Sequence, residues 1–151
     1  MKRNITEFLI KSFPFLITLV LWRLSCPIIN PAGILAIIPI FYCSFIRPVP
    51  YFTVYALLFC FLLDYKFGTT LTWMIFYCIF YVIMNIQTFI DLGHTNRNGL
   101  FAFMGFIGPV IFFLMLHHIG ITSILLSILT FVILCIMYIP TTYLIKVVKN
   151  D

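Results

Sequence analysis

The amino-acid sequence predicts an all-α, polytopic membrane protein: a bundle of six transmembrane helices with both termini on the cytoplasmic side. Three observations predict it. First, 64% of the 151 residues are hydrophobic, 9% are charged, and mean hydropathy is +1.18. Soluble domains are about half apolar and about a quarter charged, so this chain has too little polar surface to cover a water-exposed globule. Second, Pro, Gly and charge clusters cut the chain into apolar runs on the scale of the roughly 20 residues that cross a bilayer. Third, the basic residues fall unevenly. With both ends inside, Lys2, Arg3, Lys11, Arg47, Arg97, Lys146 and Lys149 flank the inner ends of the spans, and only Arg23 and Lys66 flank the outer ends. That is the direction of the positive-inside rule, and an odd number of spans would break it.

The elements follow in order. The first span, Phe8–Leu24, lies behind Lys2, Arg3 and Lys11 and resembles a signal segment. A lipoprotein signal wants an aliphatic residue three before its cysteine, and Arg23 stands three before Cys26, so a retained helix is expected. The second span is short, Pro31–Ile46. "RPVP" then forces an extended link, because Pro disfavours helix in the residue before it. The third span, Tyr51–Leu63, is expected to run on through Asp64 toward Phe67. Gly68 permits a tight reversal into the fourth, Thr69–Ile90. "DLGHTNRNG" leads to the fifth, Leu100–Ile119, and a turn at Gly120 leads to the sixth, Ile121–Ile145. Trp22 and Trp73 both fall near outer ends, where indole rings favour the interface. Links this short make consecutive helices antiparallel neighbours. No linker or repeat divides the chain, so residues 1–151 are read as a single integral membrane domain.

Charge and composition also narrow the function classes. Nine Lys/Arg against four Asp/Glu give a pI near 9.1, but the basic residues form no stripe, so no nucleic acid is expected as partner. The cysteines, Cys26, Cys43, Cys60, Cys78 and Cys135, show no CxxC spacing and read as small hydrophobes; no zinc or other metal site is expected. His117 and His118 are adjacent on a predicted helix, about 100° apart, and cannot chelate one ion together; His94 is predicted on the opposite side of the membrane. Phosphate-binding glycine loops, HExxH and nucleophile elbows are absent, as are the mid-membrane ionisable groups of pumps. An autonomous enzyme is therefore not expected, and no cofactor is predicted.

The polar residues that remain are the candidates. Asp64 and Lys66 lie at the outer end of the third helix, where an acid is far less costly than at the bilayer centre. Asp64 can shape the hairpin, pairing with Lys66 or with the exposed amides of the fourth helix that Thr69 or Thr70 also serve, or it can contact a partner. Asn85 and Thr88 share a face near the inner end of the fourth helix, with Gln87 beside them, and are expected to bond another helix. Gly105 and Gly108, followed by Pro109, are expected to allow close helix packing, with a partner-helix groove as the alternative. Pro14, Pro39 and Pro140 are expected to interrupt their helices.

The stretch "LLDYKFG", Leu62–Gly68, resembles the signature of the rod shape-determining MreD family, small six-helix proteins of the bacterial inner membrane. In that family a Leu-Leu-Asp stretch closes the third apolar run, with Gly four residues after the Asp; Asp64 and Gly68 match. Pro31 opening the second span, the "RPVP" link and the basic C-terminal tail fit the same layout. The chain departs from it at Phe59, Cys60 and Thr72, near which members often carry Gly. The resemblance implies a non-enzymatic scaffold of the cell-elongation machinery. It would bind an MreC-type protein in the membrane and indirectly couple MreB to peptidoglycan synthases, with Asp64, Lys66 and Gly68 in the periplasmic hairpin. A competing expectation is the substrate-binding subunit of an energy-coupling-factor vitamin transporter. Against it, the first span, "FLIKSFPFLITLVLWRL", is bulky throughout, and polar side chains near the outer face are few.

Overall fold

The computed structural model describes residues 2–24, 34–86, 96–117 and 120–149. Six helices account for most of them, and among the described residues there is no strand. They are α1 (Lys2–Leu24), α2 (Ile37–Phe41, continued by a π-helical turn, Tyr42–Ile46), α3 (Phe52–Phe67), α4 (Thr72–Ile86), α5 (Asn96–His117) and α6 (Ile121–Lys149).

The shortest helix sits in the middle. Every residue from Ala36 to Ser44 is buried, as expected of a segment that is apolar on all sides. Around α2 the other five form a ring in which α1 meets α3, α3 meets α4, α4 meets α5, α5 meets α6, and α6 returns to α1. Phe41 is the hub: its ring lies 5.3–5.7 Å from those of Phe45, Phe80, Phe103 and Phe106, joining α2 to α4 and α5. Such edge and offset contacts add to the burial of large rings. Pro39 is tolerated in α2 because it falls in the first turn, whose N–H groups need no helical partner. The π-turn closes with the Arg47 amide on the Tyr42 carbonyl at 2.9 Å, and "RPVP" then carries the chain out of the helix.

The outward faces are apolar. Along α3 and the residue before it the exposed side chains are Tyr51, Val54, Leu58, Phe61 and Tyr65, spaced three and four apart, with the two tyrosines 91% and 83% exposed at either end. So large an apolar surface suits a bilayer better than water. By length and composition, three helices are long and apolar enough to cross a membrane: Asn4–Leu24, Gly99–His117 and Ile121–Lys149. Ile37–Ile46 and Thr72–Asn85 are shorter apolar helices, and α3 has 16 residues including Asp64 and Lys66.

Several expected boundaries are corrected. The first helix begins at Lys2, well before Phe8, and the last runs on to Lys149. The second begins only at Ile37, after a turn over Ile34–Ala36; residues 31–33 lie outside the described part. The fourth begins at Thr72 instead of Thr69, because Thr70 and Leu71 take left-handed backbone angles of φ 44° and 60° that a right-handed helix excludes. The fifth begins at Asn96, a turn earlier than expected. Pro14, Pro109 and Pro140 each stay inside a continuous helix.

Candidate functional site at the α3–α4 turn

Asp64 organises this turn with both its backbone and its side chain. Its carbonyl accepts the Gly68 amide and, at 3.0 Å, the Thr69 amide, closing α3. Gly68 makes that closure possible: at φ 66° it takes the left-handed conformation in which glycine ends many helices. The carboxylate reaches across to the start of α4. Oδ1 accepts the Thr69 hydroxyl at 2.5 Å and the Trp73 amide at 3.0 Å; Oδ2 accepts the Met74 amide at 3.0 Å. Trp73 and Met74 are the second and third residues of α4, the amides that a capping side chain ordinarily serves. Leu71, just before the helix, has no side-chain acceptor, and the acid of α3 supplies one. The α4 dipole adds to the attraction. The Thr72 hydroxyl donates to the Thr69 carbonyl and tightens the same loop.

Lys66 does the converse on the other side. Its ammonium donates to the Trp22 carbonyl at 3.1 Å and lies 4.9 Å from the Trp22 ring centroid. Trp22 is in the last turn of α1, whose carbonyls lack helical donors and carry the negative end of that dipole. Two positions apart on a helix means about 200° of rotation, so Asp64 and Lys66 face different neighbours. The acid caps a helix start and the base a helix end.

Asp64 is 3% exposed with both oxygens engaged, so of its two expected roles the geometry supplies hairpin shaping. Pairing with Lys66 is corrected: the two side chains bond α4 and α1, not each other. The exposed residues of this region are Tyr65, Gly68, Thr70 and Leu71.

A cavity of about 300 Å³ adjoins the turn. Phe67–Thr70 form one wall, Ile111, Leu114 and His117 of α5 another, and Ser123, Ser127 and Thr130 of α6 a third. The sequence suggested few polar groups at this end; the fold collects them from three separate stretches. The readable signal is the run of hydroxyl residues Ser123, Ser127 and Thr130, spaced four and three apart in the first half of α6.

The remaining predicted residues are dispersed. Asn85 is exposed and bonds no other described residue; Gln87 and Thr88 lie outside the described residues, as do His94 and His118. His117 is exposed, its Nδ1 3.3 Å from the Phe113 carbonyl. Gly105 does not mediate packing within the chain: it is exposed, with nothing within 4 Å of where a Cβ would stand. The reason is helical phase. Phe103, Phe106, Ile107 and Val110 turn inward, leaving Gly105 and Pro109 on the outer face of α5. Gly108, half-buried, would make only ordinary contact with Phe131, at 3.9 Å. The close approach is at Gly99, where a Cβ would stand 2.9 Å from the Tyr138 hydroxyl. A buried hydrogen bond from Tyr77 to the Ser44 hydroxyl, 2.8 Å, joins α4 to the π-turn of α2.

Comparison with known protein families, with curated proteins and with solved structures finds no match to this chain. The functional reading rests on the geometry and on the resemblance in Leu62–Gly68.

Proposed function

We propose that this protein is a non-enzymatic scaffold of the MreD type in the bacterial inner membrane. In this reading it has six spans and both termini in the cytoplasm, and it supports rod shape and lateral peptidoglycan synthesis by binding an MreC-type partner. One observation carries the proposal. Asp64 and Gly68, the two residues on which the resemblance rests, work in one turn: the glycine ends α3 and the acid caps α4. A spacing of four between acid and glycine has a physical use here, which a chance match would not require. The exposed Tyr65, Thr70 and Leu71 beside it supply a surface for a partner, as do Gly105 and Pro109 on the outer face of α5.

Co-purification from mild detergent tests the proposal. Recovery of an MreC-type protein is the expected result, together with rounding of rod-shaped cells on depletion. Recovery of an ATPase module would favour the substrate-binding subunit of an energy-coupling-factor transporter instead. Orientation has its own check: a cysteine placed at the exposed Tyr65 should react with an impermeant maleimide from outside the cell, and one placed at Arg97 should not. The opposite pattern would invert the topology.

A further inference from the structure

We propose that the cavity beside the α3–α4 turn holds an uncharged, hydroxyl- or carbonyl-bearing amphiphile, its polar end against Thr70, Ser123 and Ser127 and its apolar part along Phe67, Ile111 and Leu114. This inference does not depend on the scaffold reading. At about 300 Å³ the space is at the lower end of ligand sites, which run from roughly 300 to 1,000 Å³. It suits a small molecule, or the head and first carbons of a lipid.

The charge of the ligand follows from the lining. No Asp, Glu, Lys or Arg borders the cavity. The start of α4, which would otherwise attract an anion, is already occupied, because the Asp64 carboxylate takes the Trp73 and Met74 amides. Lys66 is turned away onto Trp22. A phosphate or carboxylate would find no lysine or arginine here, and His117, the titratable side chain of the lining, sets its Nδ1 3.3 Å from the Phe113 carbonyl.

The serines point to a ligand independently. Hydroxyls inside helices commonly bond back to a carbonyl one turn earlier. Ser12, Thr18, Thr130, Thr141 and Thr142 all do so. Ser123 and Ser127, four apart on α6 and both facing the cavity, bond none of the described residues, nor does Thr70. Thr70 also sits at φ 44°, a costly conformation for a β-branched residue and of the kind that gathers at ligand clamps. The turn and the start of α6 therefore present strained backbone, and hydroxyls that bond no described residue, to one partly open cavity.

Trp73 borders the cavity and is one of only two tryptophans, so it can report occupancy. The experiment uses the full chain with Trp22→Phe, in phosphatidylcholine bilayer discs, titrated with a monoacylglycerol whose acyl chain carries two bromines. Saturable quenching of Trp73 is expected, reversed by the unbrominated compound. Brominated lysophosphatidic acid of the same chain should quench only in proportion to its mole fraction. Ser127→Phe, which fills the cavity, should abolish the saturable component. If that variant does not fold, Ser123→Ala with Ser127→Ala should weaken it by about tenfold through two lost hydrogen bonds. Displacement by free glycerol would identify a water-soluble source; resistance to glycerol would identify a lipid. Quenching that is linear throughout, unchanged by the serine substitutions, or equal for the anionic lipid would overturn the proposal.

Discussion

The Lys66 ammonium donates to the Trp22 carbonyl at 3.1 Å while standing over the Trp22 ring, so one side chain fixes the end of α1 to the end of α3. This contact and the edge-to-face packing of Phe15 and Trp22 on Phe52, Tyr55 and Phe59 hold α1 in the ring. Lys66→Met removes the cap and the cation–π contact and should destabilise the fold by about 1–2 kcal/mol. Lys66→Arg keeps a donor and a cation and should lose less than half of that. Thermal unfolding in detergent measures the difference. Equal losses in the two variants would mean that the charge contributes nothing.

Asp64 should be the more sensitive position, since three donors depend on it. Asp64→Ala leaves the Trp73 and Met74 amides without an acceptor in a buried setting, at a cost of about 2–4 kcal/mol. Asp64→Asn keeps one acceptor oxygen and should cost about half as much. The Asn variant also separates roles. Normal abundance with lost partner recovery would mean that partner binding depends on the geometry of the turn; lost abundance would mean that the fold does.

The turn itself should reverse the usual rule about glycine. Thr70 is exposed at φ 44° and its hydroxyl bonds no other described residue, so Thr70→Gly relieves a left-handed strain of roughly 1–2 kcal/mol against an entropic loss of roughly 0.5–1 kcal/mol. The variant should be neutral or slightly more stable. Gly68→Ala meets no atom within 4 Å, so its cost, about 1 kcal/mol, is purely conformational. Equilibrium unfolding of both variants checks the pair of opposite signs. A destabilised Thr70→Gly would show that the threonine side chain holds the turn.

Much of this was legible in the sequence, and for identifiable reasons. Six helices could be read because Pro, Gly and charge interrupt apolar runs. The hairpin at Asp64 could be read because an acid beside a glycine at the end of such a run has few other uses. The destination of each charge could not. An acid and a base two apart read as a pair, yet 200° of helix rotation sends them to different neighbours, and only the ring order says which. The central place of α2 was hidden for a similar reason. An apolar run shorter than a full span looks like a poor membrane helix, when its complete burial makes it the core. The cavity was hidden because its hydroxyls come from α6 and from the α3–α4 turn, some 50 residues apart.

The glycines of α5 show where sequence spacing misleads, and they give the sharpest test of the fold. Gly105 and Gly108, three apart, resemble a packing motif, yet the tight contact is at Gly99, buried in the first turn of α5 against Tyr138 of α6. Tyr138 has little room to move: it is 4% exposed and stacks on Phe103 with ring centroids 4.7 Å apart. A methyl group 2.9 Å from its hydroxyl must displace the ring, so Gly99→Ala should cost about 1–3 kcal/mol. Tyr138→Phe removes the offending oxygen, and the double variant should recover most of that loss, giving a coupling energy of about 1 kcal/mol or more. Gly105→Ala is the control. It enters open space on a helix, where alanine is favoured over glycine by roughly 1 kcal/mol, and should stabilise the isolated chain. Thermal unfolding of the four variants decides the matter. Destabilisation at Gly105 and tolerance at Gly99 would mean that α5 is rotated from the phase described here.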